Sequence, residues 1–320
     1  MTNNSLLVVV LANGIAYGTP LLYAALGEVL AERSGVLNLG VEGMMLVGAV
    51  MGFFVVQRVH TASTPVLAAA IGVAALAAAA MAAIHAFLVV TLRANQIVSG
   101  LALTIFAGFG GLSSYLGNDF DLSGSPARHQ FTEPLPQSLQ KLPVVGPIVF
   151  GQSVLVYASW ICVALVALYL GRTRAGLNAR AVGESPAAAD AMGVDVARYR
   201  YAHTIAGGAF AGVGGATYSL WVTPQWVEGI TQGAGWIAIA LVIFAFWRPT
   251  LCLVGAYFFG ALTTLPSALQ AHDVQISGDL IGTIPYLMTV VVLVVVSSAV
   301  ARQRLGAPAA LGRPYVREER

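Results

Sequence analysis

Charge is scarce in this chain. Only 9% of its 320 residues are Asp, Glu, Lys or Arg, where soluble domains carry roughly 25%, so an ordinary soluble domain is excluded. Lysine occurs once, at Lys141, outside any GxxxxGK[ST] context, so the chain does not itself hydrolyse ATP through a phosphate-binding loop. A net charge of +2 is too small to point to nucleic acid. The two cysteines, Cys162 and Cys252, lie in apolar stretches without CxxC spacing, which argues against a disulfide or a metal site. None of the five histidines precedes a glutamate, which removes HExxH, and no GxSxG is present. His85 and His203 each stand alone in or near an apolar stretch and read as packing or hydrogen-bonding groups. No catalytic residue, metal or cofactor is expected. The opening MTNNSLLVVV has no basic residue before its apolar run, so it reads as a retained first span rather than a signal peptide.

Long apolar runs fill the rest. A bilayer-crossing helix needs about 20 apolar residues, and such runs cover roughly 6–27, 36–57, 65–92, 95–117, 149–170, 202–222, 234–247, 250–270 and 281–300. The third is long enough to tilt or break and the seventh is short, so about eight to ten helices are expected. The runs do not alternate apolar with polar residues, which excludes a transmembrane β-barrel. Residues 1–320 therefore read as one all-α domain, a polytopic transmembrane helical bundle.

The arginines divide by membrane side. Five lie in 172–200 and five more in the tail 301–320 (Arg302, Arg304, Arg313, Arg317, Arg320). Both segments are expected to be cytoplasmic by the positive-inside rule, and four spans between them return the chain to the same side. The proline-rich loop 118–148, with Arg128 and Lys141, then falls outside. Trp226 and Trp236 bracket another outward loop and read as interfacial anchors. The side of the N-terminus depends on the helix count among the first three spans.

The polar island 172–200 contains a compact helix with signals at both ends: Ser185 as N-cap, Pro186 at the first helical position, helix formers over 187–192, and Gly193 as terminator. About two turns long, it is marginal alone in water. Its small face suits docking into another protein; the competing reading is a solvated surface helix.

Within the spans, polar residues mark candidate pathway positions. Glu42 lies in an apolar run with Asn38 four residues earlier, on one helical face. A carboxylate in a span normally faces the bundle interior or a watery cavity, and Gly35, Gly40 and Gly43 permit a helix break that exposes backbone there. A structural hydrogen bond or ion pair for Glu42 is the equal alternative. Glu28, Glu32 and Arg33 read as a membrane edge. Gln96 and Ser99, three apart, read first as interhelical hydrogen-bonding groups and second as substrate contacts. The small residues from Gly207 to Gly215 form a packing seam, within the subunit or against a second one.

Four segments appear in order: GEVLAERSGVLNLGVEGMMLVGA (27–49), NQIVSGLAL (95–103), GLNARAVGESPAAADAMGV (176–194) and GWIAIALVIFAFWRP (235–249). Together they resemble the inner-membrane permease subunits of ATP-binding-cassette importers. The branch is the one for nucleosides and simple sugars, related to branched-chain amino-acid permeases, and the likeness runs from about residue 20 to 300. The resemblance implies that 184–193 is the coupling helix seated in an ATPase subunit, with its pattern on Gly183, Glu184, Ala187, Ala188 and Gly193. The candidate pathway residues remain Asn38, Glu42, Gln96 and Ser99. The resemblance also implies an ABC ATPase subunit, a second permease (a paralogue or another copy), an external solute-binding protein and surrounding membrane lipid as partners. The expected solute is a nucleoside, with a simple sugar or branched-chain amino acid as alternatives. Relatives commonly carry a glycine and then a polar or basic residue before the tryptophan of 235–249, where this chain has Ala245 and Phe246, and asparagine where it has Thr104. An ion-coupled secondary transporter, resting on Glu42, is the alternative from another class. An intramembrane enzyme lacks any recognisable constellation of catalytic groups.

Overall fold

The computed structural model describes residues 6–59, 64–108, 110–124, 126–271 and 306–317, together with residues 283, 287, 290 and 294. Among these the regular structure is helical: α1 Leu6–Arg33, α2 Val41–Arg58, α3 Thr64–Ala86, α4 Gln96–Ala107, α5 Leu112–Asp119, α6 Gln137–Gln140, α7 Val154–Arg172, α8 Arg174–Glu184, α9 Pro186–Ala191, α10 Val196–Thr217, α11 Ala234–Phe244 and α12 Pro249–Gln270. One π turn, Phe87–Thr91, prolongs α3, and another, Tyr218–Val222, prolongs α10. Strand pairing among the described residues is limited to isolated bridges, Ser123 with Trp226 and Pro126 with Gln225.

Among the described residues, six helical stretches are long and apolar enough to cross a membrane: Leu6–Arg33, Val41–Arg58, Thr64–Thr91, Gln96–Asp119, Val154–Arg172 and Pro249–Leu269. The apolar stretch 202–222 belongs to α10, whose 22 residues reach about 33 Å at 1.5 Å per residue. The short stretch 234–247 holds the 11-residue α11, and 281–300 falls almost wholly outside the described residues. The fourth span is not continuous: α4 stops at Gly108, and α5 resumes after Gly111.

The composition of α10 follows from its place. It is rich in glycine and carries Arg200, His203 and Thr204, all buried. It packs along α1, α2 and α3, which enclose it. Lipid tails are as apolar as leucine, so helices in a bilayer associate through close packing rather than through hydrophobic transfer. Here the backbones touch. A Cβ on Gly207 would lie 2.7 Å from the Gly27 carbonyl oxygen, and one on Gly214 would lie 2.7 Å from that of Pro20. A Cβ on Gly212 would overlap the Ala74 carbonyl oxygen and come within 2.6 Å of the Ala78 Cβ. The seam is thus internal to this chain. Around it, Leu22, Leu26, Met44, Met45 and Val242 are fully buried in the main apolar cluster.

The two ends of the bundle are distinct. At the C-terminal end of α2, Gln57 donates to the Pro126 carbonyl (2.8 Å) and accepts from Arg128 Nε (3.2 Å), so the 118–148 loop covers this end. At the C-terminal end of α1, Gly183 sits so close to the Arg33 carbonyl that a Cβ would overlap it, which places α8, α9 and the tail at the opposite end. Trp226 is not an interfacial anchor. It is 3% exposed, and its ring fills the space left by Gly117 on α5.

Candidate functional site

The chain breaks between α1 and α2. Gly35, at φ +88°, takes the left-handed conformation that ends α1, and its N–H donates to the Glu32 carbonyl (2.9 Å). The following backbone is irregular, and inside a bilayer such backbone is tolerated only where protein satisfies it. Side chains from two other helices do so. Gln96 Oε1 accepts from Leu37 N (2.7 Å), and Thr104 Oγ1 donates to the Leu39 carbonyl (2.8 Å). His85 contacts the Leu37 carbonyl through Nε2 (3.1 Å) and Ser99 Oγ through Nδ1 (3.0 Å). A carbonyl accepts only, so Nε2 carries the proton and Nδ1 accepts from the serine hydroxyl. Asn38 lies in the break rather than on a helical face shared with Glu42, and its Oδ1 accepts from Gly40 N (3.0 Å). Gln96 and Ser99 therefore hold the break in shape. Gln96, Ser99 and Asn38 are all buried.

Glu42 opens α2 immediately after the break. Its Oε1 accepts from Thr231 Oγ1 (2.6 Å) and Gly233 N (3.0 Å), and its Oε2 accepts from Gly235 N (2.6 Å). These donors surround the start of α11, where unpaired backbone N–H groups and the helix dipole favour an anion. The carboxylate is 7% exposed. A cavity of about 400 Å³ adjoins it, lined in part by Glu42, Thr104, Gly108, Gln232 and Trp236. Trp236 is 39% exposed and Ile105 76% exposed. Two interrupted elements thus meet beside one cavity: the α4–α5 break at Gly108 and the half-length α11. In transporters, ligand sites gather where discontinuous helices meet near mid-bilayer.

The α4–α5 break has its own latch. Glu228 Oε1 accepts from Gly110 N (2.9 Å) and from Ser114 Oγ. These donors hold the Glu228 carboxyl below its ordinary range. A depressed carboxyl contributes stability that is fully present above the ordinary range and lost as pH falls through the lowered value. The thermal midpoint of the wild type in detergent is expected to fall more steeply on acidification than that of Glu228→Gln. Superimposable pH profiles would remove the latch.

Glu28 and Glu32, in the last two turns of α1, face the interior of the chain. Each is 1% exposed, and the segment that joins α11 to α12 meets Glu32. Trp247 Nε1 donates to Glu32 Oε2. Phe246 and Trp247 have φ of +52° and +54°, which ends α11 and turns the indole inward. Arg33 Nη2 donates to the carbonyls of Phe246 (3.3 Å) and Trp247 (3.3 Å). Ala245 is buried against this corner. His203 donates to the Tyr199 carbonyl through Nδ1 (2.7 Å) and pairs through Nε2 with Tyr169 Oη (2.9 Å).

At the opposite end from the 118–148 loop, the 172–200 island contains two helices rather than one. Thr173 caps α8, its hydroxyl accepting from Gly176 N (3.0 Å). The T-x-x-G spacing was the available sign. Ser185 caps α9 by accepting from Ala188 N (3.4 Å), Pro186 occupies the first turn, and Gly193 has φ +82°. Ala189 packs inward on Val182 and Val196, whereas Glu184, Ala187, Ala188 and Gly193 are exposed. Met192 is 83% exposed. Gly183 is buried beneath Arg33 and lies off this open face.

Residues 10–297 match the family model described as branched-chain amino acid transport system / permease component. The chain is 42% identical over 94% of its length to a Haloferax volcanii protein named putative glucose ABC transporter permease protein TsgC13, covering 95% of that protein. It is 35% identical over 90% to the Lactococcus lactis nucleoside ABC transporter permease protein NupC (92% of it). It is 33% identical over 98% to the Bacillus subtilis guanosine ABC transporter permease protein NupQ (98% of it). No solved structure matches the chain.

Proposed function

Since the chain belongs to the branched-chain amino acid transport system / permease component family, we propose that it is the importer subunit through which a nucleoside crosses the inner membrane. It is a multi-pass membrane protein and a transport component, and ATP hydrolysis resides in partner chains. The proposal concerns the solute, the path and the partners. The observation that carries it is the cavity beside Glu42. Its lining is neutral apart from that carboxylate, and the carboxylate is already occupied by three donors. An uncharged solute is therefore suited to it. Gln232 and Thr104 supply polar groups, and Trp236 supplies an aromatic face on which a base can stack. Two of the named relatives carry nucleosides in their names. The same occupancy of Glu42 disfavours an ion-coupled cycle, because its oxygens are not open to a driving ion.

In this reading α9 and its flanks insert an exposed face, Glu184, Ala187, Ala188, Met192 and Gly193, into an ATPase subunit. A second permease, identical or a paralogue, completes the path, and an external solute-binding protein delivers the nucleoside. ATP-dependent uptake of labelled guanosine by proteoliposomes holding the full complex is expected to be inhibited strongly by unlabelled nucleosides and weakly by glucose. The second reading, a simple sugar, draws support from the relative named as a putative glucose permease, and the reverse competition order would establish it in place of the nucleoside.

A further inference from the structure

The tail segment 306–317 lies across two parts of the chain far apart in sequence, 33–35 and 183–200. Ala309 N donates to Glu184 Oε2 (3.2 Å) and Ala310 N to the Gly183 carbonyl (2.9 Å). Gly312 N donates to the Gly35 carbonyl (3.3 Å), and the Gly306 carbonyl accepts from Arg33 Nη1 (3.0 Å). The Arg313 carbonyl accepts from Arg200 Nη1 (3.0 Å), and Arg200 is 2% exposed at the start of α10. Further along, Tyr315 Oη donates to Asp190 Oδ2 (3.0 Å), and Arg317 Nε pairs with the same oxygen (3.3 Å). The tail thus bonds to the end of α8, to Asp190 on α9 and to the glycine that begins the α1–α2 break.

We propose that this tail is a positioning strap that couples movement of α9 to the α1–α2 break beside the Glu42 cavity. Direct contact supplies only part of that link. Gly183 touches Arg33, while the buried Ala189 of α9 packs on Val182 and Val196. Through the strap, Asp190 is joined to Tyr315, and three residues earlier the same segment is held on Gly35. A short piece of backbone with donors on both sides passes displacement on without needing a large apolar interface. The residues differ in weight. Arg317 is 76% exposed, and an exposed ion pair contributes little on its own. The tyrosine hydroxyl and the backbone bonds at 309–312 therefore carry the geometry. Arg200 makes that geometry costly to abandon, since removing the Arg313 carbonyl strips a partner from a buried cation.

The inference rests on the ATP-driven reading above, so the experiment separates the two. The complete transporter is reconstituted, and solute moved per ATP hydrolysed is measured for the wild type, for Tyr315→Phe with Arg317→Ala, and for a chain truncated after residue 305. Absence of ATP-dependent uptake by the wild type would sink the functional reading itself. Given wild-type transport, the double variant is expected to keep its ATPase subunit and its ATP turnover while its transport per ATP falls severalfold. Truncation is expected to lower it further. An unchanged ratio in the double variant, or loss of the ATPase subunit from it, would overturn the strap.

Discussion

Gly212→Leu is expected to remove nearly all folded protein from the membrane, while Gly72→Leu leaves yield and thermal midpoint unchanged. Both substitutions place the same side chain on a membrane helix. They differ in what a Cβ meets. At Gly72 there is nothing within 4 Å. At Gly212 the first atom met is the Ala74 carbonyl oxygen, with the Ala78 Cβ at 2.6 Å. A side-chain obstacle can rotate, but a helix carbonyl cannot move without breaking its own ladder. Overpacking costs about 1–3 kcal/mol where neighbours adjust. Here α3 and α10 must separate, and Gly48 on α2 lies against the same glycine, so the loss exceeds that range. Against a total stability of about 5–15 kcal/mol, that is enough to depopulate the native state. Size exclusion in detergent with thermal unfolding reads the result. Wild-type behaviour of Gly212→Leu would mean that the seam is not closed as described.

Glu42→Ala is expected to cut solute uptake by at least about tenfold, because losing buried partners raises the energy of the arrangement that the path requires. Removing the carboxylate strands the N–H groups of Gly233 and Gly235 and the Thr231 hydroxyl. The hydroxyl can turn elsewhere, but the two backbone donors cannot. A buried donor without a partner costs about 1–3 kcal/mol. Loss of the anion at the start of α11 adds a smaller amount of the same sign, about 0.3–2 kcal/mol. Glu42→Gln keeps one acceptor and turns an amide N–H₂ toward a donor, so its uptake is expected to fall between wild type and alanine. The order wild type, Gln, Ala in both uptake and thermal midpoint supports an anchoring role. Equal loss in Gln and Ala with unchanged midpoints, together with uptake that follows a proton gradient, would restore the ion-coupled reading.

Much of this protein is written locally. The α9 caps need only a serine, a proline and a glycine at fixed spacing, and the structure places Ser185, Pro186 and Gly193 in those roles. The small-residue stripe of α10 is legible because only small residues let backbones meet in lipid. What that stripe meets is not legible, since Gly27, Pro20 and Ala74 lie on helices remote in sequence. The same limit explains Glu28 and Glu32. Their burial inside the chain is not legible beside an arginine at a span's end, and the partner of Glu32, Trp247, lies 215 positions away. It also explains Trp226, whose burial depends on a glycine 109 positions earlier.

From sequence alone came the membrane bundle, the family likeness and the capped helix after Ser185, because hydropathy, capping and motif order depend on residues close together in the chain. Only the tertiary structure showed that Gln96 and His85 bond to the break, that Ser99 pairs with His85, and that Glu42 accepts from the start of α11. It alone brought the tail onto Gly35 and Asp190. A hydrogen bond's partner is chosen by distance in space, and in a bundle of helices that distance has no counterpart in sequence separation.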